Sequence, residues 1–153
     1  MTITKSSRYA LYAVLEMSVA GGEPVTVSGM ARRHGMSPSA LAKVLQQLVR
    51  SGLAVGARGV GGGYRLARPA STLTVLEVIS VFERPRLPGQ ALLGGRPGAG
   101  PVDAALRRLF DEVDELVRGT FASVTVETLA RTSAREREAA RPSSLRRALQ
   151  TKN

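Results

Sequence analysis

The chain contains no cysteine and no tryptophan, one histidine, and only 4% aromatic residues. Without cysteine, disulfides, thiolate metal sites and cysteine-ligated clusters are excluded. The single histidine, His34, stands among Arg and Gly with no second metal-ligating side chain nearby, and reads as a turn-packing or surface residue. There is no His-Glu-x-x-His pattern and no phosphate-loop lysine motif. Gly59-Val60-Gly61-Gly62-Gly63 fails the dinucleotide fingerprint because Tyr64 takes the place of the third glycine. No apolar run approaches the roughly 20 residues of a membrane span, and the N-terminus lacks a signal-peptide pattern. Together these absences lead to the expectation of a cytoplasmic protein that is not an enzyme, needs no cofactor or metal and makes no membrane contact. With so few aromatics, the core must be built mostly from Leu, Val and Ala.

Basic charge, in contrast, is abundant. The 153 residues carry a net charge of +10 and a pI near 11.3, which favours an anionic partner, with nucleic acid ahead of membrane. The distribution is uneven. Residues 1–70 hold nine Lys/Arg against two Asp/Glu, residues 71–130 six against eight, and residues 131–153 seven against two. The positive charge therefore sits at the two ends of the chain, and the middle is slightly acidic.

The most informative stretch runs from Ser37 to Leu66. Ser37 suits a helix N-cap, Pro38 the first helical position and Gly52 the left-handed exit. Between them Leu41, Val44, Leu45 and Leu48 recur at i, i+3, i+4 and i+7, so they form one buried stripe. The opposite side carries Ser39, Ala40, Lys43, Gln47 and Arg50, which are small, polar or basic, with Gln46 beside them. Two short apolar runs then flank the glycine cluster of residues 59–63, with Arg58 at its base, as in a hairpin. Just upstream, a small helix over Val27–His34 closed by Gly35 completes the order of a helix-turn-helix. A basic helix followed by a glycine-tipped hairpin is the arrangement of a winged helix that places one helix in the major groove of DNA.

On that expectation Gln47, with Gln46 as the second candidate, reads adenine edges, and Ser39 and Lys43 meet a base or a phosphate. Arg58 enters the minor groove or grips a phosphate, with Gly59, Gly61 and Gly62 allowing close approach. Ala40 lies on the same helix face, and Arg8, Arg50 and Arg65 position the protein on the backbone.

Elsewhere, Thr4 is expected to cap a helix over residues 5–20 with Leu11, Val14 and Leu15 on one face. Lys5, Arg8 and Tyr9 lie on its opening turns, a position suited to a phosphate, although Tyr9 by itself reads as a core residue. Pro24–Val27 is extended. Thr74 and Glu77 form a capping box opening a nearly enclosed helix from Val75 to Phe82. Glu83 to Pro101 holds four prolines and five glycines and is expected to be a long loop. A long helix follows from Val102 to about Val117, with Val102, Leu106, Leu109, Val113 and Leu116 at three-to-four spacing and Phe110 widening the stripe. Such a face suits a partner helix, most simply that of a second copy related by a two-fold axis. Its acidic residues read as a solvated face, not a catalytic pair. Gly119 permits a bend, Thr125 caps a short helix ending near Leu129, and the basic segment from Thr132 is expected to be frayed.

The opening Thr4-Lys5-Ser6-Ser7-Arg8-Tyr9-Ala10, the Ser37-Pro38-Ser39 helix start, the wing Arg58-Gly59-Val60-Gly61-Gly62-Gly63-Tyr64 and the helix Val75-Leu76-Glu77-Val78-Ile79 resemble the bacterial IscR/NsrR-type (Rrf) regulator family. The resemblance is close over roughly residues 1–82 and continues by pattern through the long helix. It implies a dimeric winged-helix transcription factor whose long helices cross at the dimer interface. Many members hold an iron–sulfur cluster on three cysteines in the loop before the long helix. Here that loop has none, and Ala104 stands where some members place a histidine. Ala42 replaces a frequent Glu, and Val60 replaces the usual wing proline.

The expected architecture is thus mainly α with a small β-hairpin wing. It comprises a winged helix-turn-helix domain over residues 1–82, a loop over 83–101, a dimerisation and short C-terminal helix over 102–131, and a basic tail over 132–153. The expected function is that of a homodimeric repressor binding an operator in double-stranded DNA, without a cysteine-ligated cluster. Two alternatives stand beside it. One is a sensor that uses the 83–101 loop for a small molecule or partner protein; the other is a winged-helix protein-interaction module, against which the basic reading face argues.

Overall fold

A computed structural model describes residues 3–83 and 100–139. Residues 84–99, most of the expected loop, and 140–153, most of the expected tail, lie outside the described residues. The first helix, α1, spans Lys5–Val19 and begins where the Thr4 hydroxyl accepts the Ser7 N–H. Its buried stripe is Tyr9, Ala10, Ala13, Val14 and Met17, whereas Leu11 and Leu15 are only partly covered. The expected face is therefore rotated. The small Ala10 and Ala13 let neighbouring helices approach closely, and the larger leucines fall at the margin.

Helix α2 spans Val27–His34, capped by Thr26 and ended by Gly35 at φ +61. Helix α3 spans Pro38–Arg50 and buries the four expected residues Leu41, Val44, Leu45 and Leu48. The wing is two antiparallel strands, β1 (Ala54–Ala57) and β2 (Gly63–Leu66), with Ala54 opposite Leu66 and Ala57 opposite Gly63. The extended piece before α2 adds a further rung: Val25 and Tyr64 exchange both backbone hydrogen bonds at 2.9 Å.

A 3-10 turn over Ala70–Thr72 leads to α4, Val75–Ser80, opened by the capping box of Thr74 and Glu77. The helix stops short of Phe82, in a turn through Val81 and Phe82. Helix α5 runs without interruption from Pro101 to Ser123, through Gly119. A mid-helix glycine costs about 1 kcal/mol relative to alanine, too little to break 23 helical residues. Helix α6 spans Val126–Ala139, well past the expected end at Leu129. Alanine, arginine and glutamate of residues 134–139 are good helix formers, so the frayed segment expected from Thr132 is helical as far as the description reaches.

The chain closes on itself at the α5–α6 junction. Val124 O accepts Val75 N–H at 2.9 Å, and Val126 N–H donates to Leu73 O at 2.8 Å. Val126 is buried in the same core as Leu41, Leu45, Leu48, Leu73 and Val78, and α6 packs along α1. The segment 102–131 thus contributes to the core of the N-terminal domain as well as supplying the long helix.

Candidate nucleic-acid interface

The orientation of α3 follows from the stripe it buries. With Leu41, Leu45 and Leu48 inaccessible, Ser39, Lys43, Gln46, Gln47 and Arg50 are left exposed, and Ala40 lies half-buried at the edge. The start of the helix is held from both sides. Ser37 Oγ accepts the Ala40 N–H, and the buried Tyr9 hydroxyl accepts the Ser37 N–H at 3.4 Å. Tyr9 is the core residue expected, but its hydroxyl also anchors the entry to α3; a buried tyrosine needs a partner for its polar tip. Ser39 Oγ stands 3.1 Å from Ser37 Oγ.

The turn into α3 is fixed by Glu16. Its carboxylate meets Arg33 at 2.7 Å and His34 at 2.8 Å, and the His34 ring centre lies 4.8 Å from that of Tyr12. His34 therefore packs the turn, tying the end of α2 to α1.

Between α3 and the wing lies a groove of about 370 Å³ lined by Gln46, Val49 and Arg50 from the helix and Gly56, Ala57, Arg58, Gly63 and Tyr64 from the hairpin. Strand β2 can run close against the extended piece at Val25 because Gly63 has no side chain; a Cβ there would stand 2.7 Å from the Val25 carbonyl oxygen. Two guanidinium groups and one carboxamide thus share a single concavity open to solvent. Gly59 and Gly61 take positive φ at the wing tip, and Gly62 sits against the Ala57 and Gly59 carbonyls.

Not every expected residue joins this groove. Arg65 is exposed on β2 but alternates away from Tyr64 and is not among the lining residues. Arg8 is exposed on α1. The phosphate position expected at the start of α1 is occupied from within: Glu83 Oε1 accepts the Thr4 N–H at 2.8 Å and the Ser7 hydroxyl at 2.5 Å, and Lys5 Nζ lies 5.4 Å from the Tyr9 ring centre. Sequence patterning singles out none of Glu83, Tyr64 and Val49 as site residues. The β-alternation around Arg65 is the one available signal, and it points to Tyr64.

On α5 no residue is buried. Val102 and Leu116 are each 72% exposed, Leu109 53% and Val113 43%, with Leu106 and Phe110 half-buried. No helix among the described residues is long and apolar enough to cross a membrane.

The Rrf2 family, described as iron-dependent transcriptional regulators, matches this chain over residues 3–132. The chain is 32% identical over 131 residues to the HTH-type transcriptional regulator IscR of Photorhabdus laumondii, covering 84% of this chain and 79% of that one. It is 33% identical over 124 residues to protein aau3 of Rhizobium meliloti, covering 78% and 80%. Among solved structures it resembles CymR, the global cysteine regulator of B. subtilis, at a TM-score of 0.73 and 27% identity, over 86% of this chain and 98% of that one. IscR of T. potens shares the fold at a TM-score of 0.72 and 22% identity, with 93% of each chain covered. The family description names iron, and no cysteine is present in this chain to ligate it. The described residues bring no three His, Cys, Asp or Glu side chains together as a metal site. The match over most of the chain and the shared fold place it plainly: the chain belongs to the Rrf2 family of winged helix-turn-helix transcriptional regulators.

Proposed function

We propose that this regulator is a homodimeric repressor that binds a two-fold operator and works in the bacterial cytoplasm without a cysteine-ligated cluster. The observation that carries the DNA reading is the groove in which Gln46 and Arg50 of α3 face Arg58 of the wing. Helix and wing present their polar groups to one duplex: α3 enters the major groove, and Arg58 follows the backbone or the adjacent minor groove. Ser39, Lys43 and Arg50 extend the contact along α3, and Arg8 and Arg65, exposed outside the groove, add phosphate attraction.

The dimer reading rests on α5. Val102, Leu106, Leu109, Val113 and Leu116 alternate in steps of four and three, the seam a partner helix requires. A second copy covering that seam would set two α3 helices one turn of DNA apart. Repression then needs only occupancy of the operator.

Anisotropy titration of the purified protein against oligonucleotides selected from a random pool tests the reading. Wild type should bind a preferred two-fold sequence, with affinity falling steeply as salt rises. Arg58→Ala should weaken binding and flatten the log–log salt slope by about 0.9 for each phosphate it no longer neutralises. A salt-insensitive affinity, or an Arg58→Ala protein that binds the operator as wild type does, would overturn it.

A further inference from the structure

Two adjacent glutamines of α3 carry the chemistry to read a base, and the structure separates them. Ser39, Lys43, Gln46 and Arg50 succeed one another at four, three and four residues, so they lie along one line of the helix, opposite the buried leucines. Gln47 is one position round from that line, at the flank. There its Nε2 donates a long hydrogen bond, 3.5 Å, to the Val81 carbonyl just beyond α4. Gln46, in contrast, lines the groove beneath the wing, exposed, and among the described residues its amide has no hydrogen-bond partner.

Resting on the regulator reading, we infer that Gln46 is the specificity-determining residue of α3, pairing its carboxamide with an adenine edge in the major groove, while Gln47 braces α3 and selects no base. A carboxamide offers one acceptor and one donor side by side, the complement of adenine N6–H and N7. Lys43 and Arg50, on the same line of α3, and Arg58 across the groove supply the cations that hold phosphates and fix the register in which that pairing is made. Val49, lining the same groove, adds an apolar surface suited to a thymine methyl group.

The test is to select oligonucleotides with wild type, Gln46→Ala, Gln46→Glu and Gln47→Ala, each checked for helical content by circular dichroism. Wild type should show an adenine at one position in each half-site. Gln46→Ala should lose discrimination at that position by about 5- to 150-fold. Gln46→Glu should shift the preference there toward cytosine, whose amino group a carboxylate can accept. Gln47→Ala should keep the wild-type sequence. The inference is overturned if Gln46→Ala retains every preference, or if Gln47→Ala is the variant that loses one. A wild type with no preferred sequence would overturn the regulator reading itself, and the inference with it.

Discussion

Single residues in this molecule are constrained for different physical reasons. Gly62 is constrained by space: a Cβ there would stand 2.5 Å from Ala57 O and 2.8 Å from Gly59 O. Both are backbone atoms, which cannot yield without reshaping the wing tip. Gly62→Ala should therefore strain the wing by about 1–3 kcal/mol and weaken DNA binding in the manner of Arg58→Ala; an unchanged affinity in the same titration would show that the tip makes no contact. Glu77 is constrained by charge. The Thr74 backbone N–H, before all else, holds its carboxyl below the ordinary value of 4.5; burial opposes this, and Arg68 and the Thr74 hydroxyl add to the lowering. A carboxyl with a depressed folded-state pKa contributes stability that is present above its unfolded value and is lost as pH falls through the folded one. Thermal midpoints of wild type should thus drop below about pH 4.5 more steeply than those of Glu77→Gln, which lacks that titration. Parallel curves for the two proteins would remove Glu77 from the acid limb.

At the scale of elements, those whose ends are decided locally are legible in the sequence. Ser37 with Pro38, Thr26 with Gly35, and Thr74 with Glu77 each combine a capping side chain with signals only a few residues away. The stripe of α3 is legible for the same reason. What escapes is set by contacts distant in sequence. The rotated face of α1 is decided by the elements packed on it, and Val126 enters the core through a backbone bond to Leu73, far earlier in the chain. In the candidate site, the basic residues can be read from composition and spacing, but the different placement of Gln46, in the groove, and Gln47, bonded to the Val81 carbonyl, depends on where Val81 lies. Glu83 is the clearest case. Its neighbours in sequence mark the start of a loop, yet its carboxylate serves the buried Ser7 hydroxyl and the first turn of α1. Glu83→Ala should destabilise the fold by about 1–3 kcal/mol by withdrawing that acceptor. Because the loss is shared, adding Ser7→Ala should cost less than the sum of the two single changes in a denaturant-unfolding cycle. Strict additivity would mean the two groups do not act as a pair.

The whole molecule divides into a basic reading head and an acidic-flanked helix whose apolar seam is largely uncovered by the described chain. Leu109 stands midway along that seam. In an isolated protomer, Leu109→Glu would place a good helix former on a half-open surface and change stability by no more than about 0.5 kcal/mol. In a dimer the same carboxylate is driven against the partner's apolar seam, where burying an unpaired charge is costly enough to separate the subunits. The two cases predict different observables. If α5 joins two copies, Leu109→Glu should sediment as a single chain at micromolar concentration where wild type sediments as a pair. Its operator affinity should fall by about 10²–10⁴, because two half-sites no longer bind as one. The variant should nonetheless retain the salt dependence expected of one reading head, since α3 and the wing are untouched. Equal masses and equal affinities for the two proteins would show that the seam around Leu109 does not join two copies.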